Sequence, residues 1–208
     1  MMATRSKAAS GVVEIKPLKL ETIQLEIEGQ TELIMHRWSD KAKQMMLDKQ
    51  MGKATEKKPK KDPEADYQSS MYRLDDGQPG FPASAFKAAI VGACRLFDGL
   101  PMTQAKIAIR VEGEMNAHGE QLIRIEGEPR MREDMVRLET GVADVRHRAG
   151  FPAWSAVLPI TYNASLLSLE QIVNLVNAAG FGGVGEWRPS APKSASGSFG
   201  CFAVVGSR

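Results

Sequence analysis

The clearest pattern along this chain is helical. Phe86, Ala89, Ile90, Ala93, Cys94 and Phe97 recur at i, i+3, i+4, i+7, i+8 and i+11, the apolar stripe of an amphipathic helix within residues 79–97. Pro82 suits its first turn, Ser84 offers a cap, and Gly99 with Pro101 ends it. A second helix is expected over 166–179. Ser168 and Gln171 have capping-box spacing, Leu169, Ile172, Val173 and Val176 line one face, and Gly180 stops it.

The strands alternate instead. Residues 18–28 carry Leu18 and Leu20 in one phase and Ile23, Leu25 and Ile27 in the other, which predicts a bulge or a two-sided strand. Residues 105–111 place Ile107, Ile109 and Val111 opposite Lys106, Ala108 and Arg110. Residues 122–125 repeat the alternation, and the turn-rich 113–119 joins the two as a hairpin. Residues 156–162 form a further strand that extends the sheet or pairs with that hairpin. The apolar run 199–205 reads as a central strand, and a short strand is expected at 12–15. Residues 32–51 fit a helix or a loop.

Two stretches interrupt this order. Residues 52–70 are rich in Lys, Pro and Asp and nearly free of apolar side chains, so they form an excursion from the fold. Residues 128–152 interleave Arg130, Arg132, Arg137, Arg146 and Arg148 with five acids and read as a second excursion, partly strand. Without them the order is strand, helix, strand, strand, helix, strand. That is an α+β fold of the ferredoxin-like pattern, with two helices on one sheet face and the other face free. The expected organisation is a flexible tail over 1–16 and one domain over 17–208, with insertions at about 36–72 and 128–152.

Composition narrows the function. The 208 residues are 43% apolar and 25% charged, which suits a folded protein, and no apolar run is long enough to span a membrane. Residues 1–10 lack the apolar stretch of a secretory signal. Cys94 and Cys201 have no metal or disulfide spacing, which fits a reducing cytoplasm. The net charge is only +2, yet residues 41–61 hold eight lysines, Lys41 and Lys43 among them, against Asp48 and Glu56. Such a segment is either a solvated loop or an arm that tracks phosphates without reading sequence.

Three constellations carry the candidate chemistry. The Pro/Gly-rich turn at 77–82 opens into a helix with small residues and Lys87 in its first turns, so a phosphate could sit on free backbone N–H groups. Six glycines (Gly180, Gly182, Gly183, Gly185, Gly197 and Gly200) flank a helix end and a strand start and let a ligand approach the main chain. Beside them, Trp187 offers a stacking plane and Arg188 a guanidinium, unless Trp187 is packed in the core. Around Arg146 and Arg148, cations alternate with Phe151 and Trp154. An exposed aromatic pair would intercalate between bases and a buried pair would be core. His36, His118 and His147 are scattered, and no motif indicates a metal or a nucleotide cofactor.

Taken together, the turn and helix at 81–89 and the glycine-rich segment from 180–185 to 197–200 resemble the RAMP superfamily, whose members form the backbone of CRISPR effector complexes. The resemblance implies a modified RNA-recognition fold and head-to-tail polymerisation of copies along single-stranded guide RNA, beside other effector subunits. It implies a thumb, here 128–151, that separates bases. It puts Ser84 and Lys87 on RNA phosphates, and Gly182, Gly183 and Gly185 near RNA or a neighbouring copy. Some members of the family cleave target RNA with a loop aspartate. Asp40, Asp75 and Asp76 are the residues placed for that, each equally a cap or turn residue. A non-enzymatic RNA-binding subunit is the leading expectation. A phage- or plasmid-borne relative that coats single-stranded DNA, a metal-dependent endoribonuclease using Asp40 or Asp76, and a protein module that interferes with a CRISPR complex are the alternatives.

Overall fold

The computed structural model describes residues 17–38, 40–53, 61–137, 141–192 and 196–206. Its elements in chain order begin with β1 (Leu20–Gly29), β2 (Leu33–Ile34), α1 (Asp40–Gln50), α2 (Pro63–Ser69), β3 (Tyr72–Arg73) and β4 (Pro79–Pro82). Then follow α3 (Ala83–Ala93), α4 (Met102–Ala108), β5 (Ile109–Val111), β6 (Glu114–Met115) and β7 (Gln121–Arg124). The chain closes with β8 (Arg130–Arg137), β9 (Ala143–Phe151), β10 (Ser155–Asn163), α5 (Leu169–Gly182) and β11 (Phe202–Val204). The strand expected at 12–15 lies outside the described residues.

The fold is α+β, with antiparallel sheets. The principal sheet has the order β11-β1-β10-β5. β1 and β10 pair in unbroken register from Leu20–Asn163 to Glu28–Ser155, so of the two alternatives expected for 18–28, a bulge or a two-sided strand, the bulge is absent. Ile23, Leu25 and Ile27 lie opposite Ile160, Leu158 and Ala156 and turn to the core, while Leu18 and Leu20 are exposed. α3 and α5 pack against each other on that apolar face. Phe86, Ile90, Ile172 and Val176 are fully buried there. Edge-to-face rings run from Tyr72 through Phe81, Phe86 and Phe202 to Trp154, each pair adding about 0.5–1.5 kcal/mol beyond its buried area.

The opposite sheet face, presented by Thr22, Gln24, Glu26, Glu28, Val157, Pro159, Thr161 and Arg110, carries no helix. Two smaller sheets, β3-β4-β7-β6 and β2-β9-β8, flank the principal one.

Several expectations change. Residues 102–108 are helical because Pro101 opens a turn that buries Ala105 and Ala108 three apart; the alternation there is accidental, and Ile107 is 82% exposed. β5 pairs with β10, whereas β7 pairs with β4 and β6, so the 105–125 hairpin does not form. The third strand of the principal sheet is β10. β11 is an edge strand with β1 as its only ladder partner, not a central one. The excursion at 52–70 contains α2, capped by Asp62 accepting from the Ala65 amide 3.1 Å away, with Pro63 at its start.

α3 begins at Ala83 with Pro82 in the cap position, so Ser84 lies inside the first turn. The Ser168–Gln171 capping box is formed, but α5 runs past Gly180 to Gly182. Gly180 serves another purpose. A Cβ there would overlap the Phe202 carbonyl oxygen, so glycine lets α5 lie directly on β11.

Candidate nucleic-acid interface

Two adjoining grooves flank α3. The first, of about 960 Å³, is lined by Ser84 and Lys87 of α3, Arg110 of β5 and Gln121 of β7, together with Glu112 and Glu120. The second, of about 700 Å³, runs along the other flank. Ala85, Ala88, Ala89 and Gly92 form its α3 wall, a row of side chains small enough for a ligand to reach the helix backbone. Its other wall is the end of α5 and the loop after it: Gly182, Gly183, Gly185, Glu186 and Arg188, with His36 and Arg95 at the ends. Pro82 lines both grooves, so they meet at the start of α3. Pro82 makes no side-chain hydrogen bond to the first turn, and the N-terminal amides there receive no side-chain cap.

Charge distinguishes this side of the molecule. Among the described residues Lys87, Arg95, Arg110 and Arg188 form no ion pair; Arg95 Nε meets the Met102 sulfur at 3.2 Å, and Arg188 donates to the Gly185 carbonyl at 2.9 Å. Glu120, by contrast, is engaged by Arg37 at 3.6 Å. Phe181, between two glycines at the end of α5, is 80% exposed beside the second groove. Sequence reasoning missed it, together with Arg95 and the His36–Glu186 pair; its one signal is an aromatic residue set among glycines where no core position is expected.

The glycine-rich loop is held by the protein itself. Gly183 closes α5 with φ +69° and Gly185 turns with φ +81°, both favouring glycine. A Cβ on Gly185 would approach the Ile34 carbonyl oxygen to 2.7 Å, and the Glu186 amide donates to that same oxygen at 3.1 Å. Val184 donates to Gly200, and Gly200 to Glu32. The glycines thus allow close main-chain packing on β2, and Gly182, Gly183 and Gly185 also face the second groove.

The arginines of the β8–β9 hairpin do not all face outward. Arg148 is 1% exposed, which corrects the expectation that it contacts nucleic acid. Its guanidinium lies 2.9 Å from Asp134 and 3.5 Å from Glu186, and stacks 4.4 Å from the Trp187 ring centroid. Arg132 repeats the arrangement, 2.9 Å from Asp134, paired with Glu32 and 5.0 Å over Phe199. Two guanidiniums from the hairpin thereby clamp two aromatic rings of the glycine-rich segment. Trp187, with φ +53°, is committed to this clamp and to Phe199, 6.0 Å away, rather than presented as a free stacking plane. His36 Nδ1 meets Glu186 at 3.2 Å, and this hydrogen bond holds the Glu186 carboxyl below the usual glutamate range, with Arg148 and Arg146 adding to the effect. Phe151 and Trp154 are buried, so they do not intercalate. Arg146 is half-buried, 3.8 Å from Asp144.

The remaining predicted residues lie apart from the grooves. Lys43 is an exposed residue of α1, 3.5 Å from Asp40; Lys41 is on the same helix, its side chain outside the described residues. Asp40 is held by Arg37 and Lys43, and the Arg37 charge lowers its carboxyl pKa. Asp76 accepts from the Gln78 amide and Arg124, the former being the main cause of its lowered pKa. Asp75 accepts from the Ala117 amide. Each aspartate has a structural partner, and no group of three metal-ligating side chains occurs among the described residues. No helix among them is long and apolar enough to cross a membrane.

On the helix-free sheet face, away from Arg110, a trough of the wrong sign for phosphates lies between the principal sheet and β7. Glu26, Glu28, Glu112, Glu114 and Glu126 line it; among the described residues Arg124, also in the lining, is engaged by Asp76 and Glu114, and the other four glutamates have no ion-pair partner. Phosphates would be repelled from that trough.

No protein-family model matches the chain, and no curated protein sequence matches it. Among solved structures the chain is similar to the crystal structure of Cmr6 from Pyrococcus furiosus. The identity is 10% and the TM-score 0.40, with 90% of this chain and 100% of that one covered. A likeness of that size carries neither a fold assignment nor a function.

Proposed function

We propose that the protein binds single-stranded nucleic acid, RNA in the first instance, across the two grooves that flank α3. The observation that carries this reading is the gathering of four unpaired cations, Lys87, Arg95, Arg110 and Arg188, around an uncapped helix start and a glycine-lined wall, with Phe181 exposed beside them. The cations and first-turn amides suit phosphates, the small side chains admit the sugar-phosphate chain, and Phe181 offers a π-face to one base. Ser84, Lys87, Gly182, Gly183, Gly185 and Arg188 keep a place in this interface.

The finer reading is a RAMP-like subunit of a CRISPR-type ribonucleoprotein, with a ferredoxin-like core, insertions at about 36–72 and 128–152, and copies arranged head to tail along guide RNA. The strand order β11-β1-β10-β5 with α3 and α5 on one face supports the ferredoxin-like part, and the motifs at 81–89 and 180–200 support the family.

The test is a titration of fluorescent single-stranded RNA and matched DNA with nuclease-treated protein. Affinity is expected to fall steeply with salt and to favour RNA. Phe181→Ala should weaken binding by about 1–3 kcal/mol, the worth of one stacked base. Binding that ignores both salt and Phe181→Ala would remove the proposal.

A further inference from the structure

His36 brings a hydrogen-bond acceptor to a groove whose cations suit an anion. It follows β2, lines the second groove and keeps 28% of its side chain exposed. Its Nδ1 meets one Glu186 oxygen at 3.2 Å, and the other Glu186 oxygen lies 3.5 Å from Arg148. A carboxylate only accepts hydrogen bonds, so Nδ1 carries the proton and the neutral ring is left with an acceptor at Nε2. That nitrogen has no partner among the described residues and is not enclosed by them.

Position narrows what can satisfy it. The Arg37 amide donates to the Ser70 carbonyl, β3 follows at Tyr72, and β3 pairs with β4, which runs straight into α3. His36 therefore stands at the end of the groove where α3 starts, with its uncapped amides. Arg188, which donates to the Gly185 carbonyl, belongs to the loop that carries Glu186. These groups suit phosphates, so the sugar-phosphate chain of a bound strand passes His36. An ionised phosphodiester has only acceptors to offer, whereas a ribose 2′-hydroxyl donates, and DNA lacks it.

We infer that His36 determines the preference of this groove for RNA, with Nε2 accepting a hydrogen bond from a ribose 2′-hydroxyl. Glu186 is the positioning residue that fixes which ring nitrogen accepts. The inference rests on the proposed binding of a strand in the second groove and names the residue there that distinguishes one sugar from the other.

The experiment measures affinity by fluorescence anisotropy on nuclease-treated full-length protein at pH 8, where histidine is ordinarily neutral. The labelled probes are oligouridine, oligodeoxyuridine and 2′-fluoro oligouridine, which keeps the ribose pucker and loses the donor. The wild type should bind oligouridine about two- to tenfold more tightly than either of the others, the worth of one neutral hydrogen bond. His36→Phe and His36→Ala lack the acceptor, and Glu186 keeps Arg148 in both. Each should lose that two- to tenfold preference, and 2′-fluoro substitution should then cost nothing more. His36→Gln, whose amide oxygen accepts, should retain part of it. Circular dichroism checks that the variants are folded, and the wild-type response to the 2′-fluoro probe stands without any variant. A wild type that binds the 2′-fluoro probe as well as oligouridine, or a preference unchanged in His36→Phe and His36→Ala, overturns the inference while strand binding itself stands. A wild type that binds none of the three probes overturns the reading beneath it as well.

Discussion

Replacing Arg148 by Ala tests whether that arginine serves nucleic acid or the protein's own interior. The side chain is 1% exposed and shares a buried site with Asp134, Glu186 and the Trp187 ring. Removing one partner of a buried ion pair typically costs 3–5 kcal/mol, roughly, because the other charge is left without its counterion. Asp134 keeps Arg132 at 2.9 Å, which moves the expectation to the low end, about 3 kcal/mol. For a chain of this size each kcal/mol lowers the melting midpoint by about 2–4 °C, so the variant should melt about 6–12 °C lower. Arg148→Met keeps a long apolar stem and avoids the cavity, so it should lose less than Arg148→Ala. The assay is thermal and urea denaturation of nucleic-acid-free protein followed by far-ultraviolet circular dichroism, with strand affinity measured on the same preparations. A melting midpoint within about 2 °C of wild type, accompanied by a clear loss of affinity, would show that Arg148 acts on the ligand directly.

Three further outcomes follow from the structure. Gly180→Ala sets a methyl group against the Phe202 carbonyl oxygen and should cost about 1–3 kcal/mol or more as α5 is pushed off β11; urea midpoints equal to wild type would contradict that contact. Ser168→Ala removes half of the α5 capping box and should cost about 1 kcal/mol by the same measurement. Glu186 has a folded-state pKa held low by its hydrogen bond to His36, so its contribution is present above the unfolded glutamate value, about 4.3, and disappears as pH falls through the lowered one. Wild-type stability should therefore fall more steeply below about pH 4.3 than that of Glu186→Gln, and parallel curves would refute the assignment.

What could be read from the chain in advance depended on the range of the interaction. The Phe86–Ile90 stripe and the Ser168–Gln171 box are local, spaced within one helix, and both appear in the structure. Residues 105–111 misled because Ile107, Ile109 and Val111 imitate a strand, while burial of Ala105 and Ala108 decides for a helix; small residues carry a weak hydrophobic signal. The same chain segment then switches to a strand of three residues, too short for period to register. α2 buries no residue, so it has no stripe, although Asp62 followed by Pro63 announces its start.

At the site, the turn into α3 and the glycine-rich segment were visible as motifs. Their convergence at Pro82 was not, because it depends on how α3 and α5 cross. Arg148 looked like any other cation of a mixed-charge stretch. Its partners Asp134 and Glu186 lie 14 and 38 residues away, and no spacing rule connects them.

The stacking of Trp187 beneath Arg148 also gives the molecule a natural optical probe. Its three indoles occupy contrasting surroundings. Trp38 is exposed to solvent, Trp154 is enclosed and donates to the Thr31 carbonyl, and Trp187 sits under a positive charge at the base of the glycine-lined wall. Intrinsic emission from a protein carrying Trp187 alone would report movement of that wall when single-stranded nucleic acid is added, without a dye.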